Sequence, residues 1–284
     1  MTKPQGAEHR LARTQRGKGA WVSAMYALII FLFLYAPMVV MVVISFNGKN
    51  SIVEMDGFSF RWYKEFAENR ALMTGLRNTL ILALCASGAA TLIGTAAAIA
   101  LDAWKKSLTR SALMVVTDIP MMAPDIVTGI SMMLMFVLFG TIVGNGGSLG
   151  FGTLLIAHIT FCVPYVILSV LPRLRQMDPH LAEAAMDLGC TPFAAFRRVV
   201  LPNITSSIVT GALMAFTLSL DDFVISHFTT SGSFNTLPLE IYSITRKPVR
   251  PSIFALSTLI FVGIFLLLLL INFAQSRAER KTIR

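Results

Sequence analysis

Four carboxylates, Asp118, Asp125, Asp221 and Asp222, stand in stretches of sequence that are otherwise apolar. A carboxylate near the centre of a bilayer costs about 2.5–3.5 kcal/mol on insertion scales, so such residues usually face a cavity, a partner or a permeant. The same apolar stretches contain no Lys or Arg. A salt bridge within this chain's membrane region is therefore not expected. The natural counter-charge is a cation passing through, or a basic group from a second subunit. The four acids are not equivalent. Asp221 and Asp222 lie toward the far end of their stretch, about 27 Å along a straight helix from Asn203. Adjacent residues point in different directions on a helix, so only one of the pair is expected to face a path. Asp125 follows Pro124, which suits an N-cap after a helix break at Pro120 and Pro124, and broken helices often border transport sites. Tyr165, next to Pro164, offers a ring face to an ammonium group. His158 reads as an interhelical hydrogen bonder rather than a ligand. Asp118 has no assignable role.

A second group of residues carries a different chemistry. Glu183-Ala184-Ala185-Met186-Asp187-Leu188-Gly189, followed by Leu201-Pro202, occupies a polar stretch between apolar ones. Asp178-Pro179 is a helix start, with an acceptor side chain at the N-cap and a proline at the first helical position. Leu181, Ala184, Ala185 and Leu188 share one face. Gly189 suits a left-handed C-cap. Thr191-Pro192 repeats the start signal, Phe193, Phe196 and Val200 share a face of the second helix, and Leu201-Pro202 is expected to end it. Small alanines allow close approach by a partner, and Glu183 offers a fixed charge to a partner's basic groups. A surface helix packing on its own bundle is the plain alternative. A DNA-binding helix-turn-helix is the other, but this segment is tethered to the bilayer at both ends.

The elements that position these residues follow from composition. The chain has 284 residues, 55% hydrophobic and 14% charged, with mean hydropathy +0.69. Soluble domains carry about 25% charged residues, so the chain reads as a membrane protein. A span needs about 20 apolar residues, and six segments qualify: 21–46, 78–101, 111–139, 151–171, 203–223 and 252–273. The first is too long for a signal h-region and reads as an uncleaved span. With these spans, 16 of the 24 Lys and Arg fall on the side of the two termini and the Glu-Ala-Ala loop. The positive-inside rule puts that side in the cytoplasm, and the Asp221-Asp222 pair toward the outer face. The net charge of +9 is explained by orientation, not by nucleic acid. Cys85, Cys162 and Cys190 are isolated, with neither metal nor disulfide spacing. The P-loop pattern is absent, since Gly17-Lys18 is followed by Gly19 and lacks the upstream glycine. Any ATP must be bound elsewhere, and no catalytic or metal site is expected in this chain.

The Glu-Ala-Ala spacing through to Leu-Pro resembles the cytoplasmic signature of permease subunits of bacterial ABC importers. The resemblance narrows to the spermidine/putrescine importer permeases of the MetI-like, binding-protein-dependent family. It rests on Ser45-Phe46-Asn47, Gly57-Phe58-Ser59 with Arg61-Trp62-Tyr63, Pro124-Asp125 with Thr128-Gly129, the Glu-Ala-Ala run, and Phe216-Thr217-Leu218-Ser219-Leu220-Asp221-Asp222. It implies an all-α, type I permease of six transmembrane helices with a cytoplasmic coupling helix. The organisation is a basic tail (1–20), the permease domain (21–275) with its coupling loop (178–202), and a second basic tail (276–284). Glu183, Ala184, Ala185, Asp187, Gly189, Leu201 and Pro202 are the expected ATPase-coupling residues. Asp221, Asp222, Asp125 and Tyr165 are the candidates for the substrate path.

The resemblance further implies four kinds of partner: a second, homologous permease subunit as a heterodimer, two ABC ATPase subunits carrying Mg-ATP, a periplasmic polyamine-binding protein, and the lipid of the bacterial inner membrane. No cofactor is expected in this chain. The alternatives are a permease for ferric iron, an amino acid or sulfate, and a membrane scaffold that only binds an ATPase. Membrane acids disfavour an anion such as sulfate, and a scaffold has no use for them.

Overall fold

The computed structural model describes residues 6–49, 54, 57–104, 108–142, 144, 147–178, 180–232, 234–246, 254–263, 265–266 and 269. Among these, helices dominate, and the sole β feature is an isolated antiparallel bridge between Asn47 and Phe58. The chain divides into two compact units, Met1–Glu68 with Val249–Arg284, and Asn69–Pro248.

In the first unit, α1 (Gly6–Ser45) includes the apolar run Trp21–Ser45, long enough to cross a membrane. Its large side chains, Phe33 and Leu32 among them, are mostly exposed, as suits a surface to be covered by lipid. Just beyond α1, two of the sequence motifs turn out to be one structural piece. Ser59 N–H donates to the Phe46 carbonyl at 2.8 Å, Trp62 Nε1 donates to the Asn47 carbonyl, and Ser45 Oγ lies 2.7 Å from Tyr63 Oη. The Phe46 ring stacks on Phe58 with centroids 4.9 Å apart. The short helix α2 (Arg61–Glu68) buries Trp62 and Phe66. The Arg61-Trp62-Tyr63 run therefore clamps the end of α1, while Phe58 and Phe60 stay exposed. The expected sixth span is described as a helix over Phe254–Gly263; most of its second half lies outside the described residues.

The second unit is built on three helices: α3 (Arg70–Ala103), α6 (Phe151–Gln176) and α9 (Leu201–Asp221), each packed against the other two. On α3, Ala86, Ala90, Gly94 and Ala98 recur every four residues and are all buried. Four-residue spacing keeps them on one face, and small residues let helix backbones approach closely in a membrane. A Cβ on Gly94 would fall 2.7 Å from Val166 Cβ of α6, and one on Gly211 of α9 would fall 3.3 Å from Val166 Cα. Val166 is thus held between two glycines, and this is where the three backbones converge.

Around this trio lie α4 (Leu108–Met122), α5 (Asp125–Ile142), α7 (His180–Asp187), α8 (Pro192–Ala195), α10 (Val224–Thr229) and α11 (Leu237–Thr245). The expected third span, 111–139, is two helices. Pro120 is carried inside α4, and the break falls at Ala123-Pro124. The α5 helix starts with Asp125 itself, and the Pro124 carbonyl accepts from Val127 and Thr128 N–H. Asp125 is therefore not the N-cap expected from sequence. It occupies the first helical turn, where a carboxylate is favoured by the helix dipole.

The other departure is at Leu201-Pro202. These residues do not end the helix before the fifth span. A π turn over Phe196–Val200 joins α8 to α9, and Leu201 N–H donates to the Phe196 carbonyl five residues back. The wider turn tolerates a proline that lacks an N–H and crowds the carbonyl four residues before it. The result is one apolar helical run, Pro192–Asp221. In all, five runs among the described residues have the length and apolarity to cross a membrane, the other three being Arg70–Ala103, Asp125–Ile142 and Phe151–Gln176.

Candidate functional site

The loop helix α7 is presented with well-formed ends. Asp178 Oδ1 accepts from His180 N–H at 2.9 Å; Pro179 lies outside the described residues. At the other end, Cys190 N–H donates to the Ala185 carbonyl (3.1 Å) and Gly189 N–H to that of Met186 (2.9 Å). This is a Schellman closure, and Gly189 takes the left-handed conformation it needs, at φ +89°. Thr191 Oγ1 then accepts from Ala194 N–H and starts α8. No residue of α7 is buried. Glu183 Oε2 pairs with His180 Nδ1 at 2.9 Å and is still largely exposed. Leu188 and Phe193 are 88% and 73% exposed, an unusual display for large apolar side chains in a polar loop. Phe193 is exposed although its spacing sets it on one face with Phe196 and Val200, which are half-buried. Glu183, Ala184, Asp187 and Gly189 are all exposed, Ala185 and Leu201 are half-buried, and Pro202 is exposed at the foot of α9.

At the far end of α9 the two adjacent acids part company. Asp221 ends the helix and is exposed. Asp222 turns inward, its side chain 8% exposed. The Asp222 Oδ1 accepts from Ile225 N–H (3.2 Å) and its Oδ2 from Ser226 N–H (2.8 Å). It thereby caps the short helix α10 where the chain breaks after α9. Oδ2 also lies 3.5 Å from His158 Nε2. His158, fully buried on α6, reaches Ser219 Oγ through Nδ1 (2.8 Å) and Ser226 Oγ through Nε2 (3.0 Å). One imidazole thus ties α6 to both α9 and α10. The interhelical role expected for His158 is what the geometry shows. Every polar atom in the group has a partner, as burial requires.

Of the other two acids, Asp118 is exposed within α4 and Asp125 is exposed at the α4–α5 break. Asp125 lies within electrostatic range of Tyr165, whose half-buried ring stands edge-on to Phe161 at 5.6 Å. Asp118 and Arg175 both line a small cleft of about 100 Å³ with Met114, Thr117 and Pro164. Among the described residues, no group of His, Cys, Asp and Glu could hold a metal ion.

The exposed loop helix α7 thus precedes an apolar helical run of 30 residues, Pro192–Asp221, that ends in one exposed carboxylate. Residues 90–283 match the family model of the binding-protein-dependent transport system inner membrane component. The chain belongs to that family.

It is accordingly a multi-pass membrane transport component and not an enzyme. Three curated relatives match most of the chain. The putrescine transport system permease protein PotI of Escherichia coli K12 is 39% identical over 89% of this chain and 90% of its own length. The spermidine/putrescine transport system permease protein PotC of the same organism is 37% identical over 93% and 95%. PotC of Haemophilus influenzae is 35% identical over 84% and 90%. Among solved structures, a bacterial ABC transporter involved in import of the acidic polysaccharide alginate superposes with TM-score 0.68 at 17% identity, covering 95% of this chain and 99% of that one. At that identity the likeness speaks for the fold alone.

Sequence reasoning missed several residues at this end of the molecule. Ser219 lies within the expected fifth span and Ser226 beyond its end, and only folding brings them to His158. Phe223, His227, Tyr242 and Arg246 were also unremarked. The four-residue spacings Phe223–His227 and Tyr242–Arg246 were the available signal, since such pairs share a helix face.

Proposed function

We propose that this chain is the permease subunit of an importer that carries putrescine, spermidine or both across the bacterial inner membrane. ATP is hydrolysed with Mg in a separate ATPase subunit, and this chain needs no cofactor of its own. The observation that carries the proposal is the near full-length similarity to permeases named for putrescine and spermidine/putrescine transport. The chemistry agrees with it. Asp125 and Asp221 are exposed carboxylates at the ends of apolar helices, and a permeant with two or more ammonium groups supplies the counter-charge.

In this scheme both termini and the α7–α8 loop face the cytoplasm, and a second, similar permease subunit completes the pore. Glu183, Ala184, Ala185, Asp187 and Gly189 present α7 to a cleft of the ATPase, with Leu188 and Phe193 as apolar contacts beside them. Leu201 and Pro202 join the loop to the fifth span. The continuous run Pro192–Asp221 is about 45 Å long at 1.5 Å per residue. A displacement of the loop by closure of two ATPase subunits is therefore carried along a single rod to Asp221 and the α10 break. A loaded periplasmic polyamine-binding protein docks on the outer side. The cargo then meets Asp221 first, and Asp125 with Tyr165 deeper along the path. Asp222 holds the α9–α10 corner rather than touching cargo.

The test is uptake of labelled putrescine and spermidine by proteoliposomes containing the complete importer. The proposal requires ATP-dependent uptake that is lost without the binding protein. Uptake of neither amine, with transport of a ferric, amino-acid or anionic substrate instead, overturns it.

A further inference from the structure

Shortly after Asp221 in the chain, the rings of Phe223, which precedes α10, of His227 on α10 and of Tyr242 on α11 form a wall. Phe223 stacks on His227 with centroids 5.5 Å apart and planes at 22°, and leans on Tyr242 of α11 at 4.6 Å. The His227 and Tyr242 rings are 6.3 Å apart. Asp221 and His227 are exposed, and Tyr242 is 39% exposed, so the wall is open on one side. A cation already lies on it. The Arg246 guanidinium carbon is 4.7 Å from the Tyr242 ring centroid, and Nη2 donates to Tyr242 Oη at 2.7 Å. Among the described residues Arg246 takes part in no ion pair with a carboxylate. The positive group is held by a ring, not by an acid.

An aromatic face attracts an ammonium by the same quadrupole that holds a guanidinium. We infer that Phe223, His227 and Tyr242, with Asp221 beside them, form a subsite for one alkylammonium group of the permeant, and that Arg246 is a tethered cation occupying it until the permeant displaces it. This deepens the polyamine proposal and rests on it. Arg246 is exposed and one helical turn from Tyr242, so leaving the ring requires only a change of rotamer. The tether explains why a site built to attract cations does not stand open between transport events. A ring wall also suits a polyamine better than an inorganic ion: it contacts the methylenes that flank each ammonium, and it cannot replace the full hydration shell of a small metal ion.

The experiment measures binding of labelled spermidine to the solubilised permease–ATPase complex without the binding protein, by scintillation proximity, alongside uptake by the complete system. Tyr242→Leu removes the ring face and is expected to weaken binding about two- to fivefold, the range for a cation on a partly exposed ring. Tyr242→Phe keeps the face, loses the hydroxyl contact to Arg246, and binds spermidine at least as tightly as wild type. Arg246→Ala removes the competitor and tightens binding by a similar factor. In the double variant Tyr242→Leu/Arg246→Ala the gain disappears, because there is no longer a face to vacate.

Wild-type affinity in Tyr242→Leu overturns the subsite. Unchanged or weakened binding in Arg246→Ala overturns the competitor and leaves the pair as an ordinary surface contact between helix neighbours. Absence of saturable spermidine binding in an uptake-competent wild-type complex also overturns the subsite. Failure of wild-type uptake of both amines refutes the polyamine function itself, a different outcome. Arg246→Ala and Tyr242→Phe touch an exposed pair, so they keep the test alive if Tyr242→Leu does not assemble.

Discussion

Replacing Gly189 separates two ways in which the loop helix could fail. Gly189 sits at φ +89°, and a Cβ built on it meets nothing within 4 Å. The cost of a side chain here is therefore conformational, not steric. An L-residue held in the left-handed region costs about 1–2 kcal/mol, which corresponds to a factor of about 5–30 between the closed and frayed end of α7. The two hydrogen bonds at stake are Cys190 N–H to the Ala185 carbonyl and Gly189 N–H to the Met186 carbonyl. Once they open, α7 is no longer set at a fixed angle to α8, and Ala185, Met186 and Leu188 are presented differently to a partner. Gly189→Ala and Gly189→Leu should then fall together, while Gly189→Asn stays close to wild type, because asparagine tolerates the left-handed conformation. The assay is co-purification of the ATPase with the permease at limiting ATPase, paired with ATP-driven uptake. A loss graded by side-chain size, with Asn as damaging as Leu, would mean that crowding against the partner controls the site and that the backbone argument is wrong.

Three further outcomes are expected. Gly94→Ala places a Cβ 2.7 Å from that of Val166; overpacking costs about 1–3 kcal/mol, of which about 1 kcal/mol is offset by the better helix former, so the thermal midpoint of the solubilised complex falls and Val166→Ala restores part of it. Asp222→Ala leaves two amides of α10 without their acceptor and costs about 1–3 kcal/mol for each that stays buried, which thermal unfolding detects; Asp221→Asn leaves the midpoint unchanged but reduces uptake, and the reverse pattern would contradict the division of labour between the two acids. Trp62→Phe removes the N–H that holds the Asn47 carbonyl and weakens the join after α1 by about 0.5–1.5 kcal/mol, seen as faster hydrogen exchange at Ser59.

Much of the local structure was legible because it follows from short-range rules. Asp178, Thr191 and Gly189 announced the ends of the loop helices, and each does what its chemistry requires. The neighbouring expectation at Leu201-Pro202 failed because proline chemistry alone cannot foresee a π turn that makes room for the ring. Asp125 was read as a cap and proved to be the first helical residue, a shift of one position that sequence signals do not resolve. Phe193 shares a face with Phe196 and Val200 by spacing, yet it is exposed while they are half-buried, since the helix changes pitch at the π turn.

What the sequence determined by itself is the class of object: apolar segments of spanning length, a side-to-side bias of basic residues, a loop with helix punctuation at both ends, and acids with no basic partner in the same segments. Those are properties of composition and of neighbours a few residues apart, and the bilayer makes them decisive because it penalises any other arrangement. The tertiary structure alone decided what each acid faces. Asp221 and Asp222 are adjacent and chemically identical, yet one is exposed and the other is bound to two amides and set against His158. That difference arises from the break after α9 and from an imidazole on α6 that sequence separates by 64 positions. The same is true of the meeting of Phe223 and His227 with Tyr242 of α11, which makes one wall of two local pairs. Contacts between distant residues depend on how helices pack, and no local pattern in the chain encodes them.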